Sequence, residues 1–159
     1  MGVYGRWAVD EDGLLWRILV PRYLCRRRGP RRGGDRTFSV LPARVVPRRR
    51  WALSLGLKVA GWYRDGLSMA LDALSDLGLT LERLQVLRIM AVLAIGCERL
   101  RQHPLDEVHV ETSGGRLTQA VELVRLCRDW ETSGRGPPSS LVMAWQRRFG
   151  KSLLAIRLT

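Results

Sequence analysis

The sequence predicts a mostly α-helical protein that opens with a β-hairpin and carries a helix-turn-helix-like pair further on. Three observations lead there: apolar residues near period two between Val3 and Leu24, helical apolar patterns broken by glycine and proline after residue 51, and an arginine-rich segment between them. The division this suggests is residues 1–46 for the hairpin and the arginine-rich loop, and residues 47–159 for a helical domain.

Taken in order, Val3, Trp7 and Val9, then Leu14, Trp16, Ile18 and Val20, mark the two strands of the hairpin. Asp10-Glu11-Asp12-Gly13 supplies the turn, with Gly13 able to take positive φ. Residues 26–35 (RRRGPRRGGD) are charged and rich in glycine and proline, which predicts a mobile loop. Thr37 to Leu41 reads as a short return strand, and Pro42 and Pro47 bracket a turn into the helices. Trp51 to Arg64 alternates like a strand but also fits helical faces; its length and few β-branched residues favour helix. A short helix over Ser68–Leu77 ends at Gly78. Thr80 is expected to cap the next helix, 80–102, which His103-Pro104 stops. A further helix covers Arg116–Trp130, with Leu117, Ala120, Val121, Val124 and Cys127 on one face. Ser139 or Ser140 is expected to cap a last helix reaching Phe149, and the closing LLAIRLT has no assignable period.

The 159 residues include 27 Lys+Arg and 15 Asp+Glu, a net charge of +12, which favours a polyanionic partner. Residues 1–50 hold 13 basic and 4 acidic side chains, a local excess of +9, so the electrostatic footprint is N-terminal. Only Lys58 and Lys151 are lysines, a bias that coding composition alone also produces. Cys25, Cys97 and Cys127 follow no metal-binding spacing, and the last two sit in apolar helical patterns, as reduced core thiols of a cytoplasmic protein would. No signal peptide is expected from the opening MGVYGRW and the acidic residues after it, and the longest apolar run, Ile89 to Cys97, is too short for the roughly 20 residues a membrane span needs.

Two constellations bear on function. Residues 69–89 (MALDALSDLGLTLERLQVLRI) place Gly78 at a turn, with Ala73, Leu74 and Leu77 before it and Leu79, Leu84 and Leu87 after it. In a reading head of this kind Thr80 caps the second helix and Glu82, Arg83, Gln85, Val86 and Arg88 lie near its outer face. Leu74 stands where a small residue is usual, and a plain αα-hairpin is the competing reading. The second constellation is the arginine series Arg26, Arg27, Arg28, Arg31, Arg32, Arg36, Arg48, Arg49 and Arg50, candidate phosphate contacts in an arm; a solvated insertion is the alternative. No Ser/His/Asp order, P-loop or G-x-G-x-x-G is present, and Asp65, Asp106, Glu107 and Glu111 lack the α/β frame of a two-metal site, so no enzyme and no cofactor are expected. No metal is expected either: Arg28 occupies the position where Cys25 would need a second cysteine, and His103 and His109 have no cysteine nearby.

On these residues the chain resembles a family of uncharacterised bacterial proteins associated with insertion sequences, which join an N-terminal zinc ribbon to a helix-turn-helix region. The resemblance rests on Arg22-Tyr23-Leu24-Cys25, on Arg36-Thr37-Phe38-Ser39-Val40-Leu41-Pro42 and on Pro47-Arg48-Arg49-Arg50-Trp51, with Tyr4-Gly5-Arg6 similar to the hairpin between the family's two knuckles. It covers roughly residues 1–90 and implies a degenerate ribbon. The first knuckle would fall before Met1, as in an N-terminally shortened or decaying copy, the second has lost a cysteine, and about six residues (GPRRGG) stand inserted. What the resemblance implies for DNA binding survives those losses; what it implies for zinc does not.

The expectation is therefore a DNA-binding protein related to mobile elements. The arginine-rich segment would contact phosphates of double-stranded DNA, helix 80–102 would read bases, and a homodimer is left open. The alternatives are an RNA-binding or ribonucleoprotein accessory, and a protein-interaction module anchored by Trp7, Trp16, Trp130 and Trp145.

Overall fold

The computed structural model describes residues 2–25, 36–39, 41–42, 44–47, 49–106, 108–111 and 114–154. Three strands precede five helices: β1 (Gly2–Val9), β2 (Leu15–Cys25), β3 (Arg36–Ser39), α1 (Leu53–Tyr63), α2 (Leu67–Asp76), α3 (Arg83–Gln102), α4 (Arg116–Thr132) and α5 (Pro138–Phe149). The expected hairpin, return strand and mostly helical remainder are all present. The loop expected over residues 26–35 lies outside the described residues.

The strands form one antiparallel sheet in the order β1-β2-β3. Gly13 turns the hairpin at φ 78°. A Cβ there would sit 2.8 Å from the Leu77 carbonyl oxygen, so glycine also lets the turn rest on the end of α2. Period two sorts the hairpin into faces: Ala8, Ile18 and Val20 point inward and bury against Val45 in a small core of their own. Val9 gives its N–H to the Arg50 carbonyl (2.9 Å) and accepts from the Ala52 N–H (2.7 Å), so the Val9 backbone faces away from β2. By alternation Trp7 opposite Arg17, Gly5 opposite Leu19 and Val3 opposite Pro21 are also non-hydrogen-bonded pairs on the β1 side. Pro21, which has no N–H to give, then faces the β3 side of β2, and β3 ends at Ser39 opposite Arg22, one step short of it.

The segment after the sheet clips it to the helices. The Arg6 guanidinium donates to the Val46 carbonyl (2.8 Å) and to the Arg49 carbonyl, and Lys58 donates to the Glu11 carbonyl (2.9 Å). Trp51, beside Val9 in an isolated bridge, lays its ring over Gly56 of α1. The helical core is built around α3, whose Met90, Leu93, Ala94, Cys97 and Leu100 are buried and which packs most extensively on α4. Gly96 admits the close approach of Leu123 and Leu154. Of the unassigned tail, Leu153 and Leu154 are core residues, held by Arg99, which donates to the carbonyls of Ser152 (2.9 Å) and Leu153 (2.8 Å), and residues 155–159 lie outside the described residues.

Three sequence expectations are corrected. Thr80 caps nothing; it is exposed in a loop, and α3 begins at Arg83 with Glu82 as N-cap. Glu82 and Gln85 form a reciprocal capping box, with Gln85 Oε1 accepting the Glu82 N–H at 2.8 Å. Thr80 has Arg83 three residues on, and a guanidinium has no acceptor with which to close such a box. The last helix starts at Pro138 behind Pro137, because proline at the first helical position is pre-set for the turn. Ser140 instead accepts the Trp130 indole N–H (2.7 Å). Finally, α4 buries Ala120, Glu122, Leu123, Leu126 and Cys127, while Leu117 is exposed. The inward stripe is rotated from the expected one toward Leu123 and Leu126, with Val121 and Val124 packed at its border, and it takes in Glu122, a carboxylate neutralised by Arg125.

Candidate nucleic-acid interface

Several arginines of the helical body are held in ion pairs. Arg101 pairs with Glu98 at 2.6 Å, Arg148 with Asp106 at 2.7 Å, and Arg125 with both Glu122 (2.7 Å) and Asp129 (2.6 Å). The Arg148 hydrogen bond draws the Asp106 carboxyl below its ordinary range, and Arg101 does the same for Glu98. These pairs neutralise Arg101, Arg125 and Arg148 over short distances.

The other end differs. Arg49 and Arg50 follow the turn at Pro47 and are fixed against β1 by the Val9 backbone pair and by Arg6. Burial of the Arg6 guanidinium lowers its pKa, as suits a structural clip rather than a ligand contact. Across a cleft of about 410 Å³, Arg49, Arg50 and Trp51 face Leu81, Gln85 and Arg88 at the start of α3. The cleft's neighbour runs along the edge of β1 past Tyr4, Gly5, Trp7 and Leu15, again with Arg49 and Arg50. Among the described residues, no carboxylate forms an ion pair with Arg17, Arg49, Arg50 or Arg88. Two regions some 35 residues apart in sequence thus place unneutralised guanidinium groups around one surface.

Of the residues expected to contact nucleic acid, Arg49, Arg50, Gln85 and Arg88 come together here. Arg83 is exposed but does not line the cleft; five residues before Arg88, it points about 140° around the helix from it. Arg36 belongs to β3. Arg26, Arg27, Arg28, Arg31, Arg32 and Arg48 lie outside the described residues. The connection between α2 and α3, residues 77–82, is longer than the three to four residues of a tight helix-turn-helix. Val86, expected on the outer face, is buried in the core, as are the apolar residues from Ile89 onward, because they lie on the side of α3 packed against the body; Arg83, Leu84, Gln85 and Arg88 are the exposed residues of its first two turns.

The sequence assigns no contact to Arg17 and offers Trp7 only as an anchor for a protein partner; the structure sets both beside this basic surface. Trp7 is half exposed, at 50 %, whereas Trp145, expected as an exposed anchor, is buried at 2 % and donates to the His103 carbonyl. Trp16 is exposed but lies under Arg44, and Trp130 lies under Arg135. No helix among the described residues is long and apolar enough to cross a membrane. No protein-family model, curated protein or solved structure matches the chain.

Proposed function

We propose that the chain is a DNA-binding protein whose contact surface is the cleft between Arg49–Arg50 and the first turns of α3. The observation that carries the reading is the convergence of Arg49, Arg50 and Arg88 on one cleft without acidic partners among the described residues. A duplex backbone supplies the missing negative charge, and release of its counterions supplies much of the affinity. Base reading falls to Gln85 and Arg88. Glu82, at the N-cap, repels a phosphate placed on the helix axis, so the groove must approach from the side where Arg88 stands. The amide of Gln85 keeps its NH₂ for a base edge, although its oxygen serves the capping box. The resemblance to insertion-sequence proteins points the same way, to a role connected with mobile elements, and the net charge of +12 agrees with it.

Anisotropy titrations with a duplex selected from random DNA, an unselected duplex and single-stranded RNA test this. The intact chain should prefer the selected duplex. Arg88→Ala should cost about 1–3 kcal/mol on that duplex and much less on the unselected one, while Arg83→Ala costs the same small amount on both. Equal losses from Arg83→Ala and Arg88→Ala on every duplex would leave α3 without a reading role. Tighter binding to the RNA would transfer the surface to the ribonucleoprotein alternative.

A further inference from the structure

The outer face of the hairpin holds a second, chemically different surface. Trp7 and Arg17 are directly opposed in a non-hydrogen-bonded pair, the arrangement in which cross-strand side chains stand closest. Both are exposed. Next to Trp7 on the same face is Gly5, where a Cβ would lie 2.9 Å from Arg17 Nε and 3.3 Å from one of its terminal nitrogens. Glycine therefore lets the guanidinium lie down over the strand beside the indole. Trp16, Trp62 and Trp130 each carry a cation over the ring; among the described residues Trp7 carries none. Leu19, opposite Gly5 and 63 % exposed, extends the apolar surround. Arg49 and Arg50 border this face at the edge of β1.

We propose that Trp7 and Arg17 form a stacking platform for the unpaired bases of a single nucleic-acid strand, whose phosphates run along Arg49 and Arg50. This rests on the nucleic-acid reading above and names the form of the strand. Flat, uncovered π surfaces beside cations suit bases, which offer a π face regardless of sequence. A duplex offers no such face, because its bases are stacked on one another. A second copy of the chain is the poorer occupant: symmetric pairing of this face would bring Arg17 and its counterpart together without a carboxylate, in molecules that each carry +12.

The test uses the full chain with an oligothymidylate of about 12 nucleotides, within the span of a single-strand binding surface, and in parallel a blunt duplex. Trp7→Ala should weaken the oligothymidylate by about 5- to 100-fold with the salt slope unchanged, and the duplex by less than about twofold. Trp7→Phe should keep most of the affinity. Gly5→Val, which removes no charge and suits a strand, should displace Arg17 and weaken the oligothymidylate several-fold. Equal losses on both ligands, or no loss from Trp7→Ala, would overturn the platform, while the duplex reading of the Arg49, Arg50 and Arg88 cleft would stand as long as the intact chain binds the duplex. A wild-type dimer dissolved by Trp7→Ala would overturn it in favour of self-association. If the intact chain binds neither ligand, the nucleic-acid reading itself falls.

Discussion

At the scale of single residues, Glu122 shows how much the helical body depends on matched charge. It is 8 % exposed, accepts from Arg125 at 2.7 and 2.9 Å, and accepts the Glu111 backbone N–H at 3.1 Å. The Arg125 hydrogen bond, helped by the Glu111 N–H and opposed by burial, lowers its pKa below the ordinary glutamate value. A carboxyl depressed in the folded state adds stability that is fully present above its unfolded pKa, about 4.3, and is lost as pH falls through the lower folded value. The thermal stability of the wild type should therefore fall steeply below about pH 4.5. Glu122→Gln should be destabilised by about 1–3 kcal/mol at neutral pH and should flatten that acid limb. An acid limb of unchanged steepness in Glu122→Gln would assign the pH dependence to other carboxylates. The neighbouring thiols respond oppositely: burial pushes Cys97 up to about 11 and Cys127 up to about 12, which keeps both protonated core groups at neutral pH.

At the scale of elements, the joint between sheet and helices is set by Trp51 and Gly56. A Cβ on Gly56 would overlap the Trp51 ring, and an indole ring cannot bend aside as an alkyl chain end can. Gly56→Ala should thus push Trp51 off α1 and strain the Val9 pairing, destabilising the chain by about 1–3 kcal/mol despite alanine's better helix propensity. A raised Tm in Gly56→Ala would mean that the ring relocates freely and that the clip adds no rigidity. This joint also marks the limit of what the sequence reveals. Hairpin and helices are legible because Ala8, Ile18 and Val20, and later Leu93 and Leu100, keep a local period. Packing between elements leaves no such period: Gly56 reads as a weak helix residue, and Gly5 as a weak strand residue, until the ring or guanidinium above each is seen. The start of α3 differs from the expected one for a related reason, because Thr80 and Glu82 can both cap a helix and only Gln85 decides between them. Of the candidate interface, the arginines at 49 and 50 and the start of α3 are recognisable separately, but their convergence is a property of the tertiary fold.

At the scale of the whole molecule, charge is segregated. Pairs such as Arg125 with Asp129 and Arg148 with Asp106 neutralise charge within the helical body, while Arg49, Arg50 and Arg88 line one cleft without acidic partners among the described residues. A field so arranged steers a polyanion to that surface and makes binding depend on salt in proportion to the phosphates engaged. If about six to eight arginines of the chain contact phosphates, the slope of log K against log salt should be about −5 to −7. Replacing Arg49, Arg50 and Arg88 together by glutamine should reduce its magnitude by about 2–3, since each phosphate left unneutralised removes about 0.9. The matched control replaces Arg101, Arg125 and Arg148, which removes the same formal charge but from groups already paired. Net charge falls equally in the two variants, so the comparison separates placement from total charge. If both lower the slope alike, the chain binds as a diffuse polycation and the cleft has no special standing. A selective effect of the Arg49, Arg50 and Arg88 set would show that the fold, by clipping Arg49 and Arg50 beside α3, turns a basic composition into a defined contact surface.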